Sequence, residues 1–163
     1  MPLERLDRRR RCRVVSSCFP SVIKSFAQLI LFRIMALAIL LVFIGGAVGS
    51  MWRYWWSGFF ARRFGDIFPF GTLAANLVGS VLIGAFAGFL LHVSNDSLAA
   101  ALQQLLVVGI CGGLTTFSSF SLQTYSLITA GRGLAAILNI VISTGLSFGC
   151  VALGWQVTQG INH

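Results

Sequence analysis

Carboxylates are nearly missing from this chain: Glu4, Asp7, Asp66 and Asp96 are the only four in 163 residues. No Asp, Glu, Lys, Arg or His occurs in 34–52, 67–91, 97–131 or 133–162. Charged residues make up only 10% of the chain, hydrophobic ones 56%, and the mean hydropathy is +0.86. A water-soluble domain of this size would need far more polar surface, so the composition describes an integral membrane protein. The missing intramembrane carboxylate also argues against coupling to protons through a titrating side chain, because proton-coupled exporters and cation pathways generally use one. Cys12, Cys18, Cys111 and Cys150 lack C-x-x-C spacing, so they read as small buried hydrophobes rather than as a metal site or a disulfide framework.

Each charge-free gap is long enough for a transmembrane helix of about 20 residues. The spacing predicts helices over 34–56, 71–92, from Leu98 onward, and 134–157, which places both termini on one side of the bilayer. The third gap is too long for one straight helix and fits an interruption at Gly112-Gly113. Trp52-Arg53-Tyr54-Trp55-Trp56 reads as an interfacial aromatic belt closing the first helix. The connection 57–70 holds Arg62, Arg63, Asp66 and Pro69, and Gly131-Arg132-Gly133 reads as a tight turn. Three small-residue ridges allow close helix approach: Gly45-x-x-x-Gly49, Ser80-x-x-x-Gly84-x-x-x-Gly88 and Gly145-x-x-x-Gly149.

The formal net charge of +8 resembles a nucleic-acid signature until it is mapped. Arg5, Arg8, Arg9, Arg10, Arg11 and Arg13 fall in the first thirteen residues, followed by Lys24 and Arg33. A basic tail beside a first span is more simply an anchor against anionic lipid and an inside-facing signal, so no nucleic-acid partner is expected. Residues 1–33 form a basic, amphipathic extension, and 34–163 the four-helix membrane domain. The extension reads either as an arm on the membrane surface or as translated sequence upstream of a start at Met35.

Gly112-Gly113-Leu114-Thr115-Thr116-Phe117-Ser118-Ser119-Phe120-Ser121 is the most informative run. It sets two glycines, five hydroxyls and two phenylalanines in a span otherwise apolar enough to cross a bilayer. Hydrocarbon penalises unsatisfied polar groups by several kcal/mol each, roughly, so the run must be buried in protein or line a watery path. Phe117 and Phe120 share a helix face, and the positive edges of paired rings can attract an anion without fixed charge. Core or lipid packing is the alternative for both. Asn76 can donate two hydrogen bonds toward an anion or glue two helices together. Asn139, Ser143 and Ser147 recur every four residues and form a ladder of neutral donors, unless each hydroxyl is satisfied by its own i−4 carbonyl. Arg53 either draws anions into a vestibule or anchors the helix at the interface. Carbonyls freed where the third helix unwinds, at Gly112 and Thr115, can hold a hard cation such as Na⁺, although glycine pairs also serve as simple kinks.

In these residues the chain resembles the Fluc/CrcB family of fluoride channels. The likeness runs from Gly45-Gly46-Ala47-Val48-Gly49 with Arg53, through Gly71-Thr72-Leu73-Ala74-Ala75-Asn76-Leu77-Val78-Gly79-Ser80, to the Gly112–Ser121 run, in the family's order and spacing. The resemblance implies an all-α membrane protein with four transmembrane helices per subunit and a third helix broken near its middle. Two subunits would insert in opposite orientations as an antiparallel, dual-topology homodimer with two pores. It implies a channel and not an enzyme, passing fluoride out of the cytoplasm across the cell (inner) membrane. Phe117, Phe120, Asn76, Asn139, Ser143 and Ser147 would line the fluoride path, with Arg53 at its vestibule. The carbonyls of Gly112 and Thr115 would hold a structural Na⁺ that is not transported. One departure stands out: family members carry little charge bias, and this chain's basic tail makes one side strongly positive. The rival reading is a small inverted-dimer multidrug exporter, which needs the membrane carboxylate this chain lacks; a third is a structural membrane subunit without transport.

Overall fold

A computed structural model of the protein describes residues 3–65 and 68–161, with side chains from Gln28 onward. The basic run of Arg5 to Arg13, together with Cys12, Cys18, Lys24 and Asp66, lies outside the described residues or side chains. The described chain is all helical. Its elements are α1 (Leu3–Phe64), α2 (Phe70–Leu90), α3 (Asp96–Leu102), a π-helical stretch (Gln103–Cys111), α4 (Gly112–Leu114), α5 (Phe117–Thr129) and α6 (Gly133–Ile161). Four segments are long and apolar enough to cross a membrane: Gln28–Phe64, Phe70–Leu90, Asp96–Thr129 and Gly133–Ile161. Contacts divide the chain into two compact units, Met1–Leu37 and Ala38–His163. The first is a length of helix; the second contains everything discussed below.

Local chemistry explains most of the boundaries. The first helix does not stop at Trp56, as the belt suggested, but runs to Phe64. Trp52, Trp56, Phe60 and Phe64 recur every fourth residue and touch in sequence, with centroids 6.5, 5.9 and 5.8 Å apart. Such i, i+4 ring pairs reinforce a helix rather than end it. Arg62 and Arg63 then meet the negative end of the helix dipole. Asn95 caps α3, its side chain accepting from the Leu98 N–H at 3.0 Å. After α5, Gly131 takes a φ of +74°, while Gly131 N–H and Arg132 N–H donate back to the carbonyls of Ile128 and Leu127. This glycine-terminated cap turns the chain into α6 as the sequence predicted.

Packing depends on small residues. A Cβ built at Gly84 would strike the Val151 carbonyl, one at Gly154 the Val81 carbonyl, and one at Gly88 the Thr158 hydroxyl. The contacts advance in the same sense along both helices, so α2 and α6 run parallel. The first and third spans repeat the pattern: Gly45 sits against Leu105 and Gly109, Gly49 against Ile110, and Gly113 against Gly46. Parallel first–third and second–fourth pairs are what an up-down-up-down bundle requires. Of the three expected ridges, Gly45/Gly49 meets a neighbouring helix, and so does the Gly84/Gly88 part of Ser80/Gly84/Gly88. Gly145 and Gly149 meet nothing within this chain, and Gly154 makes the α6 contact instead.

The burial pattern is that of a chain solvated by lipid. The buried apolar residues among those described are mostly small (Ala75, Cys111, Leu114, Leu127 and Ala136), while Phe43, Leu134 and Phe148 lie exposed. Without a hydrophobic drive between helices, association relies on close backbone approach and interhelical hydrogen bonds.

Candidate functional site

Between Leu114 and Phe117 helical hydrogen bonding lapses. Thr115 (φ −82°, ψ 155°) and Thr116 (φ −154°, ψ 119°) are both extended. Gly112 and Gly113, where the sequence placed the interruption, remain helical. The helix leading in ends with Thr115, whose N–H and hydroxyl both donate to the Cys111 carbonyl at 2.9 Å. The helix leading out begins with Thr116, whose Oγ1 accepts from the Ser119 N–H at 3.1 Å. Gly79 makes room for this geometry: a Cβ there would collide with the Thr115 methyl group.

Asn76, on α2, bridges the extended pair. Its Oδ1 accepts from the Thr116 N–H at 2.8 Å, and its Nδ2 donates to the Thr116 carbonyl at 3.3 Å. In a continuous helix the Thr116 N–H would donate to the Gly112 carbonyl. Here it turns to Asn76 instead, and the Gly112 carbonyl is released from its own helix.

Beside this junction lies a groove of about 420 Å³, lined by α2, by the extended pair with the first turn of α5, and by α6. Asn76, Ser80, Thr115, Thr116, Ser143, Thr144 and Ser147 supply its polar atoms, and Phe117, Phe120 and Phe148 its aromatic ones. The rings of Phe117 and Phe120 stand 5.6 Å apart and tilted by 45°. Phe117 is 80% exposed. No lining residue is ionisable. The start of α5 faces the groove, so the positive end of its dipole adds attraction for an anion without a charged side chain.

The groove therefore gathers Asn76, Phe117, Phe120, Ser143, Ser147 and Thr115 of the residues picked out from the sequence. Asn139 lies off it, 2% exposed, donating to Thr124 Oγ1 at 2.8 Å and accepting from Ser143 Oγ at 3.3 Å. The Thr124 hydroxyl in turn donates to the Phe120 carbonyl at 2.8 Å, so this network ties α6 to the turn that carries Phe120. Arg53, half-buried on α1, and Gly112, exposed, are not part of the groove lining. Among the described residues no group of three or more His, Cys, Asp or Glu side chains is placed to hold a metal. Ser80, Thr144 and Phe148 are groove residues that the sequence reading did not pick out. Ser80 carries the usable signal, since it follows Asn76 by four residues and shares its helix face.

The profile described as CrcB-like protein, Camphor Resistance (CrcB), matches residues 40–155. The chain belongs to the CrcB family. Among its relatives, a protein of Rhodospirillum rubrum named fluoride-specific ion channel FluC is 49% identical over 104 residues, covering 64% of this chain and 81% of that one. A protein of the same name from Nitrobacter winogradskyi is 46% identical over 123 residues, covering 76% and 96%. Another, from Citrifermentans bemidjiense, is 40% identical over 116 residues, covering 71% and 92%. The matched span of this CrcB-family chain holds all four membrane-length segments in whole or in part, and every groove residue.

Proposed function

We propose that this protein is a fluoride-specific ion channel that lets fluoride leave the cytoplasm passively across the cell (inner) membrane. The observation that carries the reading is the groove: paired phenyl rings and a row of neutral donors, with no ionisable side chain among its lining residues. Fluoride is small and strongly hydrated, so each water it sheds must be replaced by a short hydrogen bond or a ring edge. Uncharged donors can do so without holding the ion too tightly to leave. The relatives named fluoride-specific ion channel FluC support this chemistry.

In this reading fluoride meets Asn76, the edges of Phe117 and Phe120, and the hydroxyls of Ser143 and Ser147. Asn139 continues the polar row one turn further along α6, and Arg53 raises the local anion concentration at the vestibule. The extended pair Thr115–Thr116 serves as the mid-membrane interruption of the third span. Two copies in opposite orientations would complete a dual-topology homodimer, each groove being closed by the partner. The carbonyls of Gly112 and Thr115 suit a Na⁺ ion: they are neutral oxygens, the first released from its helix by the Asn76 bond and the second set outside helical geometry. Two such oxygens are too few for one ion, which is a reason to expect a second copy to contribute the same pair. The ion's role would be to fix the junction in place.

The test is efflux from liposomes loaded with fluoride and reconstituted with the purified protein, followed with a fluoride electrode. Rapid fluoride loss with chloride retained supports the reading. Equal loss of both ions, or of neither, refutes it.

A further inference from the structure

We propose that Asn76 is a positioning residue that couples the carbonyl cation site to the anion groove. The inference rests on the proposed channel function, and deepens it by assigning a second task to a groove side chain. Its carboxamide uses both polar atoms on the main chain of one residue, Thr116, accepting from its N–H and donating to its C=O. A planar amide that pairs in this way mimics the backbone of a neighbouring strand, which is what two extended residues inside a helical bundle lack. The bond works in two directions. Toward the N-terminus it takes the donor that would otherwise close onto Gly112, leaving that carbonyl free for a cation. Toward the C-terminus it fixes Thr116, and Thr116 in turn caps α5 through Ser119 N–H and sets the first residues of the helix that carries Phe117 and Phe120.

Because Asn76 also lines the groove, loss of transport alone would not distinguish this task from direct contact with the ion. The two atoms of the side chain separate them. Asn76→Leu removes both hydrogen bonds at nearly constant volume. Asn76→Asp keeps the acceptor for the Thr116 N–H and places a negative charge against the anion path.

The experiment uses the full-length protein in nanodiscs. Exchange of the Thr116 amide hydrogen is read by NMR, the melting temperature is followed across a Na⁺ titration with K⁺ as the balancing ion, and fluoride flux is measured in parallel. In Asn76→Leu the Thr116 amide is expected to exchange about tenfold faster or more, the scale of one net hydrogen bond. The Na⁺ concentration for half-maximal stabilisation should rise by a similar factor. Asn76→Asp should leave Thr116 protected and the Na⁺ response in place while abolishing flux. The proposal is overturned if Thr116 stays protected and the Na⁺ response unmoved in Asn76→Leu, since Asn76 would then act on the anion alone. It is equally overturned if Asn76→Asp exposes Thr116 as fully as Asn76→Leu, or if the native protein's melting temperature ignores Na⁺. A native protein that moves no fluoride would instead refute the channel function, and the exchange data would still judge the Asn76–Thr116 bond.

Discussion

Two halves of the same helix pair do opposite things. Toward their C-terminal ends α2 and α6 meet through Gly84, Gly88 and Gly154, so closely that a single added methyl group would strike a backbone carbonyl or a hydroxyl. Toward their N-terminal ends the facing residues are Asn76, Ser80, Ser143 and Ser147, and the helices leave a groove that α5 enters. Both halves are built from small side chains. Those without a polar group let the backbones touch, and those with one keep donors facing an open space. In a bilayer, where apolar burial distinguishes poorly between helix neighbours and lipid, this choice decides which half packs and which half stays open.

The comparison can be broken from either side. The largest effect is expected from replacing both rings, Phe117→Ile with Phe120→Ile. Volume and apolarity are nearly kept but the positive ring edges are lost, so flux should fall by about a hundredfold or more while the assembled state, read by size-exclusion chromatography, stays native. Unchanged flux would remove the rings from the path. On the packed half, Gly154→Val drives a branched side chain into the Val81 carbonyl and should cost about 1–3 kcal/mol or more, seen as a lowered melting temperature in detergent. Gly145→Val, on an α6 surface with no neighbour in this chain, should leave the isolated subunit's packing intact, so a comparable loss there would locate a contact made by a second copy.

Smaller effects refine the groove. Ser147→Ala removes one neutral donor and should slow flux by about fivefold, the worth of one hydrogen bond of about 1 kcal/mol, without changing stability. Asn139→Ala should behave in the reverse manner. It leaves Ser143 and Thr124 short of a partner in a buried network, at a cost of about 1–3 kcal/mol in unfolding, with a smaller loss of flux. The least effect belongs to Arg53→Gln: a modest loss of flux at low ionic strength that disappears at high salt, as expected of a charge that acts only by long-range attraction.

How much of this the sequence contained depends on the range of the interaction that decides each feature. The four spans follow from charge-free gaps, which are local in sequence, and the structure has four segments in the matching places, the first of them longer than expected. The turn at Gly131 was similarly legible, because a few adjacent residues determine it. The first helix runs past Trp56, where an interfacial belt would end it, because the four-residue spacing of Trp52, Trp56, Phe60 and Phe64 makes them a stack along the helix. The sequence places the interruption at Gly112-Gly113 with unwinding as far as Thr115, whereas the glycines stay helical and the extended residues are Thr115 and Thr116. Glycine permits an interruption, but Asn76, forty residues earlier, supplies the hydrogen bonds that make one. The π-helical stretch Gln103–Cys111 had no local signature either. It lies where the backbone of α1 comes closest, against Gly45 and Gly49, and π-helical turns tend to mark such specialised sites. On the candidate site, the residue types were readable, and their convergence on one groove was a property of the fold.

The central claim is that uncharged dipoles and ring edges select fluoride over larger anions. It is tested most directly by the reversal potential in a planar bilayer holding fluoride on one side and chloride on the other. A potential driven far toward fluoride equilibrium is the predicted result; a potential near zero, with current carried equally by both ions, would contradict it.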